Sequence, residues 1–138
     1  MSRITADEFR EIMRESLPFA EMMGAEVMEL GEGRAVFRLP YRGEWLRPGG
    51  TIGGPLLMAL ADLAMYAVVL SQLGRVELAV TTNLTINFLR KPGPVDVIAE
   101  ARMLKLGKRL AVGEVELYSE GDPEMVAHVT ATYSIPPR

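Results

Sequence analysis

Asp62 is the only charge between Gly49 and Leu70, and that stretch opens with the glycine turn Gly49-Gly50-Thr51-Ile52-Gly53-Gly54-Pro55. A carboxylate among apolar side chains costs free energy unless hydrogen bonds or an opposite charge compensate it. Two readings stand at this point: an acid bonded to backbone or to a neighbouring hydroxyl for structural reasons, or a general base or nucleophile. In apolar surroundings a carboxylate is a stronger base than in water, which suits proton abstraction near neutral pH. The glycines admit two readings as well. They make a tight turn before a helix, or they offer free N–H groups at the positive end of a helix dipole, where an oxyanion can be held. Gly54 is the expected donor, because Pro55 has no N–H. Glycine also lets a ligand approach the backbone closely.

Few other residues offer chemistry. Thr81 and Asn83 lie on the polar side of the alternating run Val80–Leu89 and read as water-positioning hydroxyl and amide groups, or as an outer strand face. Met58, Met65 and Tyr66 lie at helical spacing around Asp62 and could line an apolar pocket or pack the core. Arg90, Lys91, Lys105, Lys108 and Arg109 flank turns, where long cations reach an anionic ligand or form a solvated rim. Trp45 covers a pocket mouth or packs. His128, the one histidine, sits on a late strand and reads as structural. With no cysteine and one histidine, a Cys-His pair is excluded and a metal site is not expected. No Gly-x-Ser-x-Gly elbow occurs for a serine triad.

The elements that must position these residues follow from the pattern. Thr5 with Glu8 reads as a capping box opening a short amphipathic helix through Phe9, Ile12, Met13 and Leu17. Pro18 ends or kinks it, and a second turn stops at Gly24. Ala25–Leu30 and Arg34–Leu39 read as a hairpin through Gly31-Glu32-Gly33. Residues 40 to 50 form a loop. A long apolar helix follows from Gly53-Gly54-Pro55 to Gly74. Val80–Leu89, Val95–Leu106, Arg109–Tyr118 and Met125–Ile135 are then four strands, broken at Pro92-Gly93-Pro94, Gly107 and Gly121-Asp122-Pro123. The long helix is apolar enough to span a bilayer, but Asp62 near its middle and the strands beyond favour a core helix wrapped by an antiparallel sheet.

At 138 residues the chain reads as one domain, 1–138, of class α+β. A net charge of −3 gives no reason to expect a nucleic-acid partner. The absence of cysteine and the acidic N-terminus fit a cytoplasmic protein with no membrane association.

This order resembles the hotdog fold, an antiparallel sheet wrapped around one long central helix with a short N-terminal helix. More narrowly it resembles the PaaI-like acyl-CoA thioesterases of the 4-hydroxybenzoyl-CoA thioesterase superfamily. The resemblance rests on Gly53-Gly54-Pro55-Leu56-Leu57-Met58-Ala59-Leu60-Ala61-Asp62, on Thr81-Thr82-Asn83-Leu84-Thr85-Ile86-Asn87-Phe88-Leu89-Arg90 and on Gly107-Lys108-Arg109. Gly53 stands where the family carries a histidine, and Arg47 lies where it often has an asparagine. The resemblance implies hydrolysis of a small or medium acyl-CoA thioester by a homodimer or homotetramer. Asp62, Gly54 and Thr81 are the implied catalytic residues, with Thr81 supplied across the dimer. Gly53, Met58, Asn83, Arg90, Lys108 and Arg109 are the implied substrate contacts, the cations meeting the phosphates of coenzyme A. No metal or redox cofactor is implied. The alternative it leaves is a non-catalytic acyl-CoA binding protein.

Overall fold

The computed structural model describes residues 1–137. Helix α1 (Ala6–Ser16) starts at a reciprocal capping box. Thr5 Oγ1 accepts the Glu8 N–H at 3.0 Å, and the Glu8 carboxylate accepts the Thr5 N–H at 2.9 Å. Such a cap contributes about 1 kcal/mol. Pro18 opens α2 (Pro18–Met23) at its first position, and Gly24 closes it in the left-handed conformation at φ +74°. The chain therefore bends at residues 16 to 19, and that bend forms one wall of the site below.

Strands β1 (Glu26–Gly31) and β2 (Arg34–Leu39) make the expected hairpin. The loop after β2 holds more order than its Pro and Gly content suggests. It contains a 3-10 turn at Gly43–Trp45 and a two-rung ladder between β3 (Leu46–Arg47) and β4 (Thr51–Ile52). Helix α3 (Gly54–Leu73) follows, then β5 (Val80–Phe88), β6 (Val97–Leu106), β7 (Leu110–Ser119) and β8 (Met125–Ser134).

Six strands form one antiparallel sheet in the order β1-β2-β6-β7-β8-β5. It curls around α3, which is buried on almost every face from Leu57 to Ser71. The reason is visible in the inner strand positions. Ala35, Ala99, Ala101, Ala111, Ala127 and Ala131 pave the concave side with methyl groups, so the large side chains of α3 can approach the sheet closely. At Gly113 the approach is closest: a Cβ there would collide with Met65 of α3, an overpacking that costs on the order of 1–3 kcal/mol. This is the hotdog architecture. The helix long and apolar enough to cross a membrane is thus the core helix, with 67% of its apolar window buried.

The expected alternation of β5 needs one correction. Its register with β8 runs Thr81 to Tyr133 but Asn83 to Thr132, so Thr82 is the extra residue of a bulge. Beyond the bulge Leu84 and Ile86 face inward opposite the buried Ala131 and Val129. Before it, Thr81 shares the inner face with the buried Tyr133. Thr81 and Asn83 therefore point to opposite sides of the sheet.

Candidate functional site

Asp62 lies midway along α3, half-buried, where the helix passes beneath the Thr81–Tyr133 cross-strand pair. Thr81 Oγ1 donates to Asp62 Oδ1 at 2.6 Å. The Tyr133 hydroxyl lies 2.7 Å from the same oxygen and 2.9 Å from the Asp62 main-chain carbonyl, a donation shared between the two. Oδ2 accepts no hydrogen bond among the described residues and opens on a groove of about 570 Å³. The Thr81 that meets this acid is the chain's own, where the resemblance implies one supplied across a dimer. The bulge is what turns its hydroxyl inward.

The groove runs between α3 and the α1–α2 bend. Leu17, Phe19, Met23, Leu63 and Tyr66 give it apolar walls, and no Lys or Arg lines it. Burial, with Glu77 alongside, pushes the Tyr66 phenol up to about 12, and its hydroxyl donates to the Glu77 carbonyl at 2.9 Å. Burial and then the Asp62 carboxylate push the Tyr133 phenol far above the ordinary tyrosine range. It remains a protonated donor at any working pH.

Gly54 belongs to a different cleft. The Gly53 N–H donates to Trp45 O at 3.1 Å, the Leu56 N–H to Gly53 O at 3.1 Å, and Pro55 has none to give. The Gly54 N–H meets no acceptor among the described residues and is a free donor at the helix start. It opens on a cleft of about 410 Å³ lined by Arg47, Phe88, Arg90 and Lys91, with no acid in the wall. Arg90 is spoken for, since it pairs with Glu124 and, at 3.6 Å, with Asp122. Arg47 and Lys91 form no ion pair among the described residues.

The remaining expected contacts scatter. Gly53 caps the helix and does not line the cleft. Met58 is 39% exposed but borders neither cavity, and Met65 is core. Asn83 faces outward and accepts from Thr85 at 3.2 Å. Lys108 and Arg109 line a third cleft at the β6–β7 turn, at the end of the sheet that also carries Val80 and Thr81. Trp45 packs, with its Nε1 donating to Pro40 O at 3.3 Å and Arg42 stacked 5.0 Å from the ring centroid. His128 pairs with Glu114 at 2.9 Å on the outer sheet face, a structural position as expected. Sequence reasoning misses Tyr133. The signal was there: it is the one hydroxyl on the buried face Ala127, Val129, Ala131, Tyr133, Ile135, and a buried phenol needs a partner.

No group of His, Cys, Asp and Glu side chains suited to a metal ion occurs among the described residues.

The family model of the thioesterase superfamily matches residues 49–126, a span that holds both Gly54 and Asp62. Among solved structures, a candidate thioesterase from Silicibacter sp. TM1040 is 44% identical, covers 99% of this chain and 95% of its own, and superposes with a TM-score of 0.90. The E. coli PaaI protein from the phenylacetic acid degradation operon is 25% identical, with 96% and 94% covered and a TM-score of 0.84. A protein of Saccharolobus solfataricus named as a candidate esterase is 30% identical over 96% of this chain and 86% of its own.

Proposed function

This chain belongs to the thioesterase superfamily, and on that premise we propose that it hydrolyses a small or medium acyl-CoA thioester to the free acid and coenzyme A. Water closes the balance, so the reaction calls on no cofactor beyond the coenzyme A of the substrate. In one route Asp62 Oδ2 takes a proton from a water molecule as that water adds to the carbonyl carbon; in the other Oδ2 adds to the carbon itself, and water then cleaves the resulting anhydride to release the acid and restore the carboxylate. The carbonyl oxygen becomes an oxyanion, the C–S bond breaks, and the thiolate leaves with a proton.

The observation that carries this reading is the pairing of a hydroxyl-braced acid, open on one oxygen, with a free N–H elsewhere on the same helix. The two cannot serve one carbonyl within one chain. Eight residues separate Gly54 from Asp62, and at about 1.5 Å per residue that is about 12 Å along α3. A second copy resolves this. Strand β5 is an edge of the sheet, with Thr81 near its start and Phe88, whose ring lies against Gly54, at its end. Antiparallel pairing of two β5 edges about a two-fold axis brings the Thr81 end of one protomer beside the Phe88–Gly54 end of its partner. Each composite site then takes acid and hydroxyls from one copy and the oxyanion donor from the other. Arg47 and Lys91 would arrive with Gly54 and meet the phosphates of coenzyme A. Net charge and the buried core helix accord with a cytoplasmic homo-oligomer that contacts neither nucleic acid nor membrane.

A thiol-release screen over aromatic, short, medium and long acyl-CoAs tests the proposal. Free thiol above the uncatalysed background is the expected result. Tight binding of the esters with no thiol released would make the chain a binder, which Gly53 at the family's histidine position would then explain.

A further inference from the structure

We propose that Tyr133 is a positioning residue which, together with Thr81, fixes Oδ1 of Asp62 and thereby makes Oδ2 the oxygen that meets water or the thioester. The inference rests on Asp62 being the acting group. Three observations carry it. Both hydroxyls converge on a single oxygen, at 2.6 and 2.7 Å, and the other oxygen has no partner. Tyr133 also reaches the Asp62 main-chain carbonyl, so one phenol ties the side chain to its own backbone and leaves little freedom at the carboxylate torsion. Finally, the phenol is 3% exposed and is held by its ring stacked on Tyr66, with centroids 6.1 Å apart, so the donor cannot swing away.

The arrangement has a chemical consequence. Both hydroxyls donate to the same oxygen and so orient the carboxylate through Oδ1 alone. Unequal bonding also separates the oxygens: Oδ1 has its lone pairs occupied, while Oδ2 keeps its own free for a proton. The titratable groups facing Asp62 are Tyr66 of α3, Glu77 beyond it and Tyr133 of β8. The α1–α2 bend contributes none to the groove and β5 contributes only the Thr81 hydroxyl.

The test compares Tyr133→Phe, Thr81→Val, the double variant, Asp62→Asn and, as a control, Tyr66→Phe, which removes a phenol of the same groove that does not touch Asp62. Two readouts are taken on the full chain: the pH profile of kcat and KM, and the titration of the Asp62 carboxyl by carbon NMR, identified by its loss in Asp62→Asn. Each single variant should raise the Asp62 titration and the acid limb of kcat by about one pH unit, the worth of one charge-assisted hydrogen bond. The double variant should raise them further. The kcat should fall about tenfold with KM changed less than about threefold. Tyr66→Phe should leave the titration unmoved. Should Tyr133→Phe fail to fold, site-specific replacement of Tyr133 by 3-fluorotyrosine, a stronger donor, should move the titration down instead. An Asp62 titration and kcat unmoved by Tyr133→Phe or by the fluorinated residue, with Asp62→Asn inactive, overturn this inference alone. Full turnover in Asp62→Asn instead removes the proposed function on which it rests.

Discussion

Around Asp62 the wall is apolar, two hydroxyls brace the acid, and no cation lines the groove. Around Gly54, two helical turns earlier, a free N–H faces Arg47 and Lys91, and no acid lines the cleft. One region can move a proton but has nothing to hold an oxyanion or a phosphate. The other can hold both but has no base. The contrast teaches that α3 carries two complementary halves, and in the function proposed above the edge strand β5, which touches both, is the seam along which a second copy would join them.

Removing the acid tests the contrast most severely. Asp62→Asn keeps an oxygen for Thr81 and Tyr133 to donate to, so the fold should survive, while kcat for thiol release should fall about 10²–10⁴-fold. Wild-type rates in that variant would reduce the Asp62 region to a structural one. At the other region, Gly54→Pro deletes the free N–H at a position where helices accept proline, and kcat should fall about 10²–10³-fold. A Cβ there lies 3.0 Å from the Phe88 ring, so Gly54→Ala, which keeps the N–H, measures the cost of that contact separately. If both variants lose the same rate, the donor is not the cause.

The cations sharpen the division. Replacing Arg47 and Lys91 together by alanine should raise KM for an acyl-CoA about tenfold and leave KM for the same acyl group on N-acetylcysteamine unchanged, because that thioester has no phosphates. An equal rise for both esters would assign these residues to the acyl end. The smallest effect lies outside both regions. The Tyr41 N–H, and then Arg38, hold the Asp96 carboxyl below its ordinary range. A lowered native value stabilises the fold above the ordinary aspartate range and is lost as pH falls through that native value. Asp96→Asn should therefore lower Tm by a few degrees at pH 7 and by less near pH 3, without altering turnover. A Tm deficit equal at both pH values would show that the carboxylate charge is not the cause.

Much of this was legible in the residues. The Thr5–Glu8 box, Pro18, Gly24 and Gly74 mark helix ends by local rules, and each stands where the chain turns. The apolar run around Asp62 identifies the core helix because no surface helix is apolar on every side. The bulge at Thr82 left no trace, since Thr81-Thr82-Asn83 is polar throughout and an inserted residue does not change the letters. That single residue decides which of Thr81 and Asn83 meets the acid. Arg90 looked as free as Lys91 because its partners, Asp122 and Glu124, lie far along the chain. Lys108 and Arg109 read as turn cations, and only strand order reveals which end of the sheet their turn occupies.

The central claim is that acid and oxyanion donor come from different copies. Mixing Asp62→Asn with Gly54→Pro under conditions that exchange subunits tests it most directly. Each variant alone should be nearly inactive, yet the equimolar mixture should recover about one quarter of the wild-type rate, since half of the pairs are mixed and each mixed pair rebuilds one of its two sites. A mixture no faster than its components, with subunit exchange verified, would place Asp62 and Gly54 in the same chain's chemistry and contradict the account.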